Sequence, residues 1–443
     1  MRGWQTSAPN LHEHAQFGML PKDWEVAPLW AVTTCNDEVL AEGTDPEWEM
    51  AYVEISGVTA GMGIVEATVV RFAEAPSRAR RRVRAGDVLV STVRTYLRAI
   101  APVVDPPENL VVSTGFAVLR PHAIAPRFLG YAVQAEFFIA EVIGRSVGVS
   151  YPAINAGDLV KIKVPFPPLP DQAAIATFLD RETAKIDALV EEQKRLIDLL
   201  KGKRQAIISH AVTKGLNPNA PMKETGIEWL GQVPEHWEVL MLRRCLDEVD
   251  YGISDSLEPD GSIAVLRMGN IQDGAIDTCD LKYVDNVEAR LLLAPGDLLY
   301  NRTNSLDLIG KVGLFVESDG PTTFASYLVR LRTVAECAPQ FMAYLLNTAG
   351  VLGTARSRAF VAIGQCNLNP TRYGEIVVAR PPLCEQHAIN QFLDREVSTA
   401  NALLIEAEKA VGLLLERRSA LISAAVTGKI DIRGMLEETE VAA

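Results

Sequence analysis

The chain has 443 residues, a hydrophobic content of 48% and a net charge of −13. Its length favours about two to four domains, and no apolar run reaches the roughly 18 to 20 residues that a membrane span requires. The first residues lack the apolar core of a signal peptide, and the six cysteines and six histidines show no metal-ligand spacing. We therefore expect a cytoplasmic protein with free thiols, no bound metal and no membrane contact.

The acidic total does not exclude nucleic acid, because phosphate recognition depends on the local clustering of Lys and Arg. Eight arginines lie between Arg71 and Arg98, where the acidic residues are Glu74 and Asp87. The first half of the chain therefore carries a basic region inside an acidic protein.

Turn and helix signals occur in the same order in both halves of the chain. Pro21, followed three residues later by Trp24-Glu25-Val26, predicts a turn that leads into a strand. Gly86-Asp87 predicts a turn before a short buried strand, and Pro126 predicts the first turn of a helix. The matching positions are Trp24 and Trp237, Gly86-Asp87 and Gly296-Asp297, Pro126 and Pro339, and Asn155 and Asn369. Such ordered repetition indicates an internal duplication.

A long run of helix-forming residues follows a proline-rich segment in each half. The first helix is predicted from Asp171 to about Val212, after Pro168 and Pro170. The second is predicted from Glu385 to about Val426, after two further prolines. The prolines exclude helix upstream, while Asp171 and Glu385 place negative charge at the positive end of the helix dipole. At 1.5 Å per residue, each helix of about 40 residues is roughly 60 Å long.

Apolar residues in both helices recur at steps of three and four, which is the spacing of a coiled coil. We expect them to form the seam, meaning the line of contact between the two helices. The predicted seam residues are Ile186, Leu189, Leu196, Leu200 and Ile207 in the first helix, and Leu403, Leu414 and Leu421 in the second. At the matched positions the first helix has mainly large residues, whereas the second also has the small residues Ala400, Ala407 and Ala410, which favours pairing of the two different helices.

Five segments follow from these signals. Short β-branched runs at residues 67–70, 110–112 and 375–378 predict strands between turns and a few helices, so both globular parts are predicted to be α+β. The segments are a first domain at 1–166, a helix at 167–213, a linker and second domain at 214–380, a second helix at 381–430, and an acidic C-terminal tail at 431–443.

The ordered motifs resemble those of one family. They are Pro167-Pro168-Leu169 with Gln172, Phe178-Leu179-Asp180, the helix end at 208–216, the segment 226–231 with Trp237-Glu238-Val239, and the ending at 424–433. On these residues, which span nearly the whole chain, it resembles the specificity (S) subunit of type I restriction–modification systems.

The resemblance implies two pseudo-symmetric target-recognition domains, separated by two long helices that form an antiparallel coiled coil. Each domain would recognise one half of an asymmetric, bipartite site in double-stranded DNA. The helices would set the spacing between the half-sites and dock two modification (M) subunits, and two restriction (R) subunits would complete the complex. Catalysis, with S-adenosylmethionine, ATP and Mg²⁺, would belong to these partners, so the chain itself would be no enzyme and would hold no cofactor.

DNA recognition needs Lys or Arg for phosphates, and Arg, Asn, Gln or Ser side chains for base edges. Candidates follow each Gly-Asp turn and precede each proline-rich segment. They are Arg82, Arg84, Ser91, Arg94, Tyr96, Arg98, Arg145, Ser150 and Tyr151 in the first half, and Asn301, Arg302, Asn304, Lys311, Arg356, Arg358, Gln365 and Asn367 in the second.

Structural explanations stay open for several of these positions. The arginine run at 78–84 also fits a solvated surface, and Arg94 and Arg302 also fit structural salt bridges. Asn155 and Asn369 occur in both halves although the domains should recognise different bases, which favours a framework role.

Two other functions also stay open for the whole chain. One is a DNA-acting enzyme with fused recognition domains. The sequence lacks the Asn/Asp-Pro-Pro-aromatic motif of amino-methyltransferases, since residues 105–108 end in Glu108, and it lacks a phosphate-binding G-x-x-x-x-G-K-[ST] motif. The other is a coiled-coil adaptor that binds only proteins, which leaves two divergent domains on one duplicated frame unexplained.

Overall fold

Both long helices contribute to two folded units in the computed structural model, which describes residues 11–272, 274–362, 365–430 and 432. Unit 1 contains the described residues up to 194 and those from 409 onward, and unit 2 contains residues 195–408. Each unit therefore combines one globular domain with segments of both helices. The predicted acidic tail, apart from Ile432, lies outside the described residues.

Short strands and short helices form the domain of unit 1. The strands are β1 (Leu11–His14), β2 (Gly18–Pro21), β3 (Glu25–Pro28), β4 (Thr33–Cys35), β5 (Glu49–Val53), β6 (Val58–Thr59), β7 (Gly63–Ile64), β8 (Thr68–Arg71), β9 (Ala79–Arg82), β10 (Val88–Ser91), β11 (Ile100–Pro102), β12 (Leu110–Ser113), β13 (Phe116–Pro121) and β14 (Lys163–Phe166). The helices are α1 (Leu29–Val32), α2 (Pro126–Ala132), α3 (Glu136–Arg145) and α4 (Ala156–Leu159), followed by the long helix α5 (Leu169–Lys214).

The domain of unit 2 is built in the same way. The strands are β15 (Met222–Glu224), β16 (Gln232–Pro234), β17 (Glu238–Met241), β18 (Leu246–Tyr251), β19 (Ile263–Leu266), β20 (Ile271–Gln272), β21 (Ala275–Ile276), β22 (Lys282–Val284), β23 (Leu298–Asn301), β24 (Thr303–Asn304), β25 (Val312–Leu314), β26 (Thr322–Phe324), β27 (Leu328–Thr333), β28 (Phe360–Ala362), β29 (Gln365–Asn367) and β30 (Val377–Arg380). The helices are α6 (Pro339–Leu346), α7 (Ala349–Arg358), α8 (Pro370–Gly374) and the long helix α9 (Leu383–Val426).

The main sheets of the two units share one topology. One antiparallel sheet has the strand order β11-β10-β13-β4 in unit 1 and β25-β23-β27-β18 in unit 2. A mixed sheet contains β8-β5-β12-β9 in unit 1 and β22-β19-β26 in unit 2, and the pairs β5–β12 and β19–β26 are both parallel. The pair β3–β14 matches β17–β30. The sequence duplication is therefore a duplication of an α+β fold, as predicted.

One predicted strand begins later than expected. Residues 375–378 were expected to be extended, but Asn369 caps α8 and Glu375 still has helical backbone angles at its end. The strand β30 therefore begins at Val377. The β-branched composition of this run indicated a strand correctly, while the preceding cap determined where the strand could start.

The start of each long helix is joined to its domain by a fully buried glutamine, and we call this contact the glutamine bridge. Gln172 Oε1 accepts a hydrogen bond from the backbone N–H of Ala125 at 2.7 Å. Gln386 Oε1 accepts the equivalent bond from Ala338 at 2.7 Å. Ala125 and Ala338 are the N-cap residues of α2 and α6. Because an N-cap N–H has no partner within its own helix, each glutamine satisfies a donor that would otherwise be buried and unpaired.

Further hydrogen bonds support each helix start. The indole N–H of Trp24 donates to Asp171 at 3.2 Å, as that of Trp237 does to Glu385 at 3.0 Å. The remaining pairs are Tyr131 with Asp180 at 2.6 Å and Tyr344 with Asp394 at 3.0 Å. Burial and the contact with Asp394 raise the pKa of Tyr344 to about 12, so its hydroxyl stays protonated and donates at neutral pH.

Each long helix ends at a glycine that packs against one of these tryptophans. Gly428, with φ +68°, follows α9, and a Cβ at this position would lie 3.2 Å from Trp24 and 2.8 Å from Pro21. Gly215, with φ +75°, follows α5, and a Cβ there would lie 3.2 Å from Trp237. Both the left-handed backbone and the close approach require glycine. Each tryptophan therefore contacts the start of one long helix and the end of the other.

The long helices run antiparallel, as the resemblance implied. In unit 1, Arg418 Nε donates to Asp187 Oδ1 at 2.9 Å, and in unit 2, Arg204 Nη1 donates to Asn401 Oδ1 at 2.8 Å. Moving 17 residues forward along α5, from Asp187 to Arg204, moves the contact 17 residues back along α9, from Arg418 to Asn401. The helices contain 46 and 44 residues, and α5 begins at Leu169 because Pro170 fits the first turn.

Three predicted seam residues lie outside the seam. Leu189, Leu196 and Leu403 are 51%, 43% and 52% exposed, whereas the adjacent Val190 and Leu404 are buried. Ile186 is buried, and Leu200, Ile207, Leu414 and Leu421 are half-buried. Steps of three and four fit two neighbouring phases of a helix with 3.6 residues per turn, and the structure buries Val190 and Leu404, one position later than the spacing predicted.

The glutamine bridge makes a testable contribution to stability. Substituting Gln172→Ala removes the acceptor of the Ala125 N–H and leaves that donor buried, so we expect the free energy of unfolding of unit 1 to fall by about 1–3 kcal/mol. Gln386→Ala should have the same effect in unit 2. Urea unfolding measures both, with Gln193→Ala, a half-buried position on the same helix as Gln172, as the control. Equal losses for Gln172→Ala and Gln193→Ala would contradict the bridge.

Candidate DNA interface

A buried ion pair fixes the strand that leads to the candidate residues in each unit. Arg120 binds Asp87 through Nε at 2.9 Å and Nη2 at 2.8 Å, and Arg332 binds Asp297 through Nε at 2.7 Å and Nη2 at 3.2 Å. Both aspartates are at most 3% exposed, and the bond to the carboxylate raises the pKa of each arginine. The bidentate geometry holds the Gly-Asp turn against the neighbouring strand.

Two predicted DNA-contacting residues, Ser91 and Asn301, instead lie in the interior. They end the strands β10 and β23 and are 4% and 1% exposed. The Ser91 hydroxyl donates to the carbonyl of Val93 at 2.6 Å. The side chain of the last residue in each strand therefore points into the core. The prediction that these polar side chains are exposed was wrong.

Arg94 is displayed by an unusual backbone. Arg94 and Arg98 flank the single 3₁₀ turn at residues 95–97 and both have left-handed angles, with φ of 50° and 52°. The Arg94 guanidinium lies over the ring of Tyr151 at 5.0 Å and forms no ion pair among the described residues. Left-handed backbone in residues other than glycine is unfavourable, and such strain concentrates at functional positions. The structure therefore favours an exposed Arg94 that is oriented for binding over an Arg94 that forms a structural salt bridge.

Arg302 is held in a comparable way in unit 2. Its guanidinium lies over the ring of Tyr251 at 5.0 Å, and its Nη1 donates to the carbonyl of Ser326 at 3.3 Å. Within the described residues Arg302 forms no ion pair with a carboxylate. Stacking on an aromatic face orients a guanidinium and leaves its edge N–H groups available for phosphate or base oxygens. Tyr251, at the end of β18, was not among the sequence candidates.

A hairpin lies against the segment that carries Arg94 in unit 1 and the segment that carries Arg302 in unit 2. We call these two the arginine segments. In unit 1, Val147 and Ala153 exchange backbone hydrogen bonds at 2.9 and 3.0 Å, and the N–H of Ile154 donates to the carbonyl of Thr92 at 2.9 Å. In unit 2, β28 pairs with β29, and the N–H of Leu368 donates to the carbonyl of Arg302 at 2.8 Å. The two candidate groups that are separated in each half of the sequence are therefore neighbours in the fold.

Several other candidates are held by contacts within their own unit. These are Arg84 with Glu38, Arg98 with Glu136 at 2.6 Å, Arg145 with Glu141 at 2.7 Å, Arg356 with the carbonyl of Asp307 at 2.9 Å, Arg358 with Glu375 at 3.3 Å, Asn304 with the N–H of Ser305 at 2.8 Å, and Asn367 with Thr303 at 3.0 Å. Exposed ion pairs contribute little to stability, so these arginines can exchange a carboxylate for a phosphate at small cost.

The remaining candidates differ in exposure. Arg82, Tyr96, Ser150 and Gln365 are exposed, and Lys311 is half-buried. Asn155 and Asn369 are helix N-caps, whose side chains accept hydrogen bonds from the N–H groups of Asp158 at 2.8 Å and Thr371 at 2.7 Å. The framework interpretation of these two asparagines is confirmed.

The described part of the chain offers neither a metal site nor a membrane helix. Within these ranges, no three His, Cys, Asp or Glu side chains converge as metal ligands. Among the helices with bounds given above, none combines the length and apolar character needed to cross a membrane.

Comparisons with known proteins point in one direction. The family profile described as the type I restriction modification DNA specificity domain matches residues 79–198. The type I restriction enzyme EcoKI specificity subunit of Escherichia coli is 23% identical over 333 residues, which cover 73% of this chain and 70% of that protein. The StySPI specificity subunit of Salmonella potsdam is 22% identical over 330 residues, with the same coverage. These matches agree with the resemblance found in the sequence.

A solved structure shares the fold. It was described in work on complex assembly and conformational transition of the type I R-M system, and it superimposes with a TM-score of 0.71 at 20% identity. The alignment covers 93% of this chain and 99% of that one. The arrangement of duplicated domains and long helices is therefore one that an experimentally solved protein also adopts.

The strain at Arg94 predicts a reversal of the usual order of glycine and alanine. Arg94→Gly and Arg94→Ala both remove the stack on Tyr151, but glycine adopts positive φ freely, so the Gly variant should be more stable by about 1 kcal/mol. Denaturant unfolding of the two variants measures this difference. At Lys201, an exposed position inside α5, the order should be opposite because glycine is unfavourable in a helix. A more stable Ala variant at residue 94 would contradict the strain.

Proposed function

We propose that this chain, a member of the type I restriction–modification specificity-subunit family, recognises a bipartite DNA site and performs no catalysis itself. The observation that supports this most directly is the contrast between frame and surface. Both units use the same Asp–Arg pair and the same glutamine bridge, yet they display different exposed side chains. A duplicated frame with two different surfaces suits an asymmetric site with two different half-sites.

The arginine segments supply the chemistry of recognition. Arg94 and Arg302 are oriented by Tyr151 and Tyr251 and lie beside hairpins that carry further polar residues. A guanidinium binds phosphate oxygens, or the O6 and N7 atoms of guanine, through paired N–H groups. Unit 1 therefore recognises one half-site through the Arg94 segment, and unit 2 recognises the other through the Arg302 segment.

The exposed apolar residues of the long helices suit docking of partner proteins. Leu189, Leu196 and Leu403 point away from the seam, and Leu199 and Ile405 are 72% and 63% exposed. Exposed apolar residues along two paired helices form a surface that a further helix can cover. In our proposal two modification subunits bind here, two restriction subunits join them, and the partners hold S-adenosylmethionine, ATP and Mg²⁺. The helices set the distance between the half-sites.

A pure coiled-coil adaptor would use the same exposed helix residues. It would have no use for arginines stacked on tyrosines in both domains, or for the strained backbone of Arg94, and this is why DNA recognition is the stronger proposal. Methylome sequencing of a host that expresses this chain with its modification subunit tests the choice. We expect one methylated split motif, whereas an adaptor would leave the genome without a motif that depends on this chain.

Exchange of one domain tests whether the two units recognise DNA independently. Replacing residues 17–166 with the first domain of another family member should change one half of the methylated motif and leave the other half intact. The buried contacts of unit 2 lie within its own residues, which is the physical reason for this separation. The measurement is again the methylome. A change in both halves, or in neither, would contradict modular recognition.

Substitution of the stacked arginines assigns each half-site. Arg94→Ala should weaken binding of the complex to its DNA by about tenfold or more, because a bidentate arginine contact is worth roughly 1–3 kcal/mol. The loss should disappear on a duplex whose first half-site is already scrambled, and Arg302→Ala should behave likewise for the second. Fluorescence anisotropy with both duplexes measures this. Arg244→Ala, at an exposed arginine outside the candidate set, is the control and should bind normally.

A further inference from the structure

The hairpin of unit 1 ends in an apolar tip, which we define as Val147, Gly148 and Val149. Val147 is 80% exposed and Val149 is 102% exposed, and Tyr151 beside them is 65% exposed. Single exposed apolar residues are common on protein surfaces, but adjacent ones at the end of a loop indicate a contact surface. The tip buries neither valine in its own unit, so its apolar groups are available to a ligand.

The conformation of this tip is fixed. Val147 and Ala153 are joined by two backbone hydrogen bonds below the tip. Gly148 has φ +112°, and a Cβ at this position would lie 3.1 Å from the carbonyl oxygen of Tyr151. The Thr95 and Ser146 hydroxyls are 2.9 Å apart, which joins the base of the tip to the arginine segment. The valines are therefore presented in a defined geometry.

The charges around the tip match DNA better than an apolar protein partner. Arg94 stacks on Tyr151, directly beyond the tip, and Arg145 lies two residues before Val147. Arg98, whose backbone N–H donates to the carbonyl of Thr95, and Arg145 are ion-paired with Glu136 and Glu141, and such exposed pairs exchange a carboxylate for a phosphate at small cost. When such a surface approaches DNA, the guanidinium groups beside the tip bind phosphates and the apolar residues at its centre contact base edges.

Unit 2 carries a matching pair of exposed apolar residues along a strand of its hairpin, rather than at the end of a loop, and we call this pair the apolar tip of unit 2. Phe360 and Val361 in β28 are 67% and 62% exposed. They lie in the hairpin that is hydrogen-bonded to the carbonyl of Arg302. The same device therefore occurs in both units with different side chains, as expected for residues that touch different bases.

We propose that these two apolar tips contact thymine C5-methyl groups in the DNA major groove. The thymine methyl is the apolar group that base pairs offer there, and an apolar contact adds sequence discrimination without adding a phosphate contact. This inference rests on the proposed DNA recognition. It extends that recognition to apolar side chains, which form no hydrogen bonds with base edges. The tips contribute affinity that does not depend on salt, whereas the arginines contribute affinity that does.

The test pairs variants that remove the valine methyl groups with a matched change in the DNA. After the motif is known, the complex with its modification subunit is titrated with duplexes containing thymine or uracil, which lacks the C5-methyl group. We expect wild type to bind the uracil duplex about fourfold more weakly for each methyl contacted, from roughly 0.8 kcal/mol per buried carbon group. The double variant Val147→Asn/Val149→Asn, which carries no methyl group at either position, should bind more weakly than wild type on thymine DNA and lose sensitivity to uracil in one half-site.

The controls separate this inference from the proposed function. Val69→Asn, at a 66% exposed valine in the mixed sheet of unit 1, should retain wild-type binding and uracil sensitivity. The tip variant should keep the wild-type slope of affinity against salt, because the substitution removes no cationic group. Equal binding of wild type to both duplexes, or undiminished uracil sensitivity in the tip variant, would overturn the methyl contact. A chain that specifies no motif would instead overturn the proposed function.

Discussion

The contact on which the structure depends joins each long helix to a short helix of its own domain. It is the hydrogen bond between a glutamine side chain and the backbone N–H at the start of that short helix. Gln172 and Gln386 lie in the first turns of the long helices, and each accepts the N–H of an N-cap alanine in its own domain. Each glutamine is fully buried, so removing its side chain leaves the alanine N–H without its acceptor. It therefore fixes the direction in which each domain meets its long helix. The tryptophan–carboxylate pairs at the same junctions add a second constraint, and together they leave the domain surface free to vary.

The two units share one frame but carry different exposed residues, which is what our proposal of two different half-sites requires. The bidentate pairs Asp87–Arg120 and Asp297–Arg332 hold equivalent strands, and these strands deliver different residues to equivalent places. Arg94 itself has left-handed backbone angles in one unit, while Arg302 stacks on Tyr251, at the end of strand β18, in the other. In our proposal, recognition is therefore altered by substituting exposed residues, without changing the contacts that hold the fold together.

The sequence predicted the frame better than the surface. The signals that predicted the frame are local: proline before a helix, Gly-Asp before a strand, and proline in the first turn of a helix. The elements after Gly86, Pro126 and Pro167 appeared where expected. The exposure of a side chain at the end of a strand is not local. Ser91 and Asn301 were predicted to face DNA, but the packing of the sheet turns them inward. Leu189 and Leu196 fit a coiled-coil repeat, yet the phase is fixed by contacts with residues far along the chain. The arginine–tyrosine stacks join residues that are far apart in the sequence, so no short sequence motif predicts them.

The division of the helices between the units gives the chain an order of completion during synthesis. Unit 2 is one continuous segment, so all of its residues have been made once residue 408 has left the ribosome. Unit 1 also needs residues from 409 onward, including Gly428, which packs against Trp24. Contacts between such distant parts of a sequence form slowly, because a long loop must close first. The domain that is translated first is therefore completed last, because Ile422, Ala425 and Val426 of its hydrophobic core lie at the end of the second long helix.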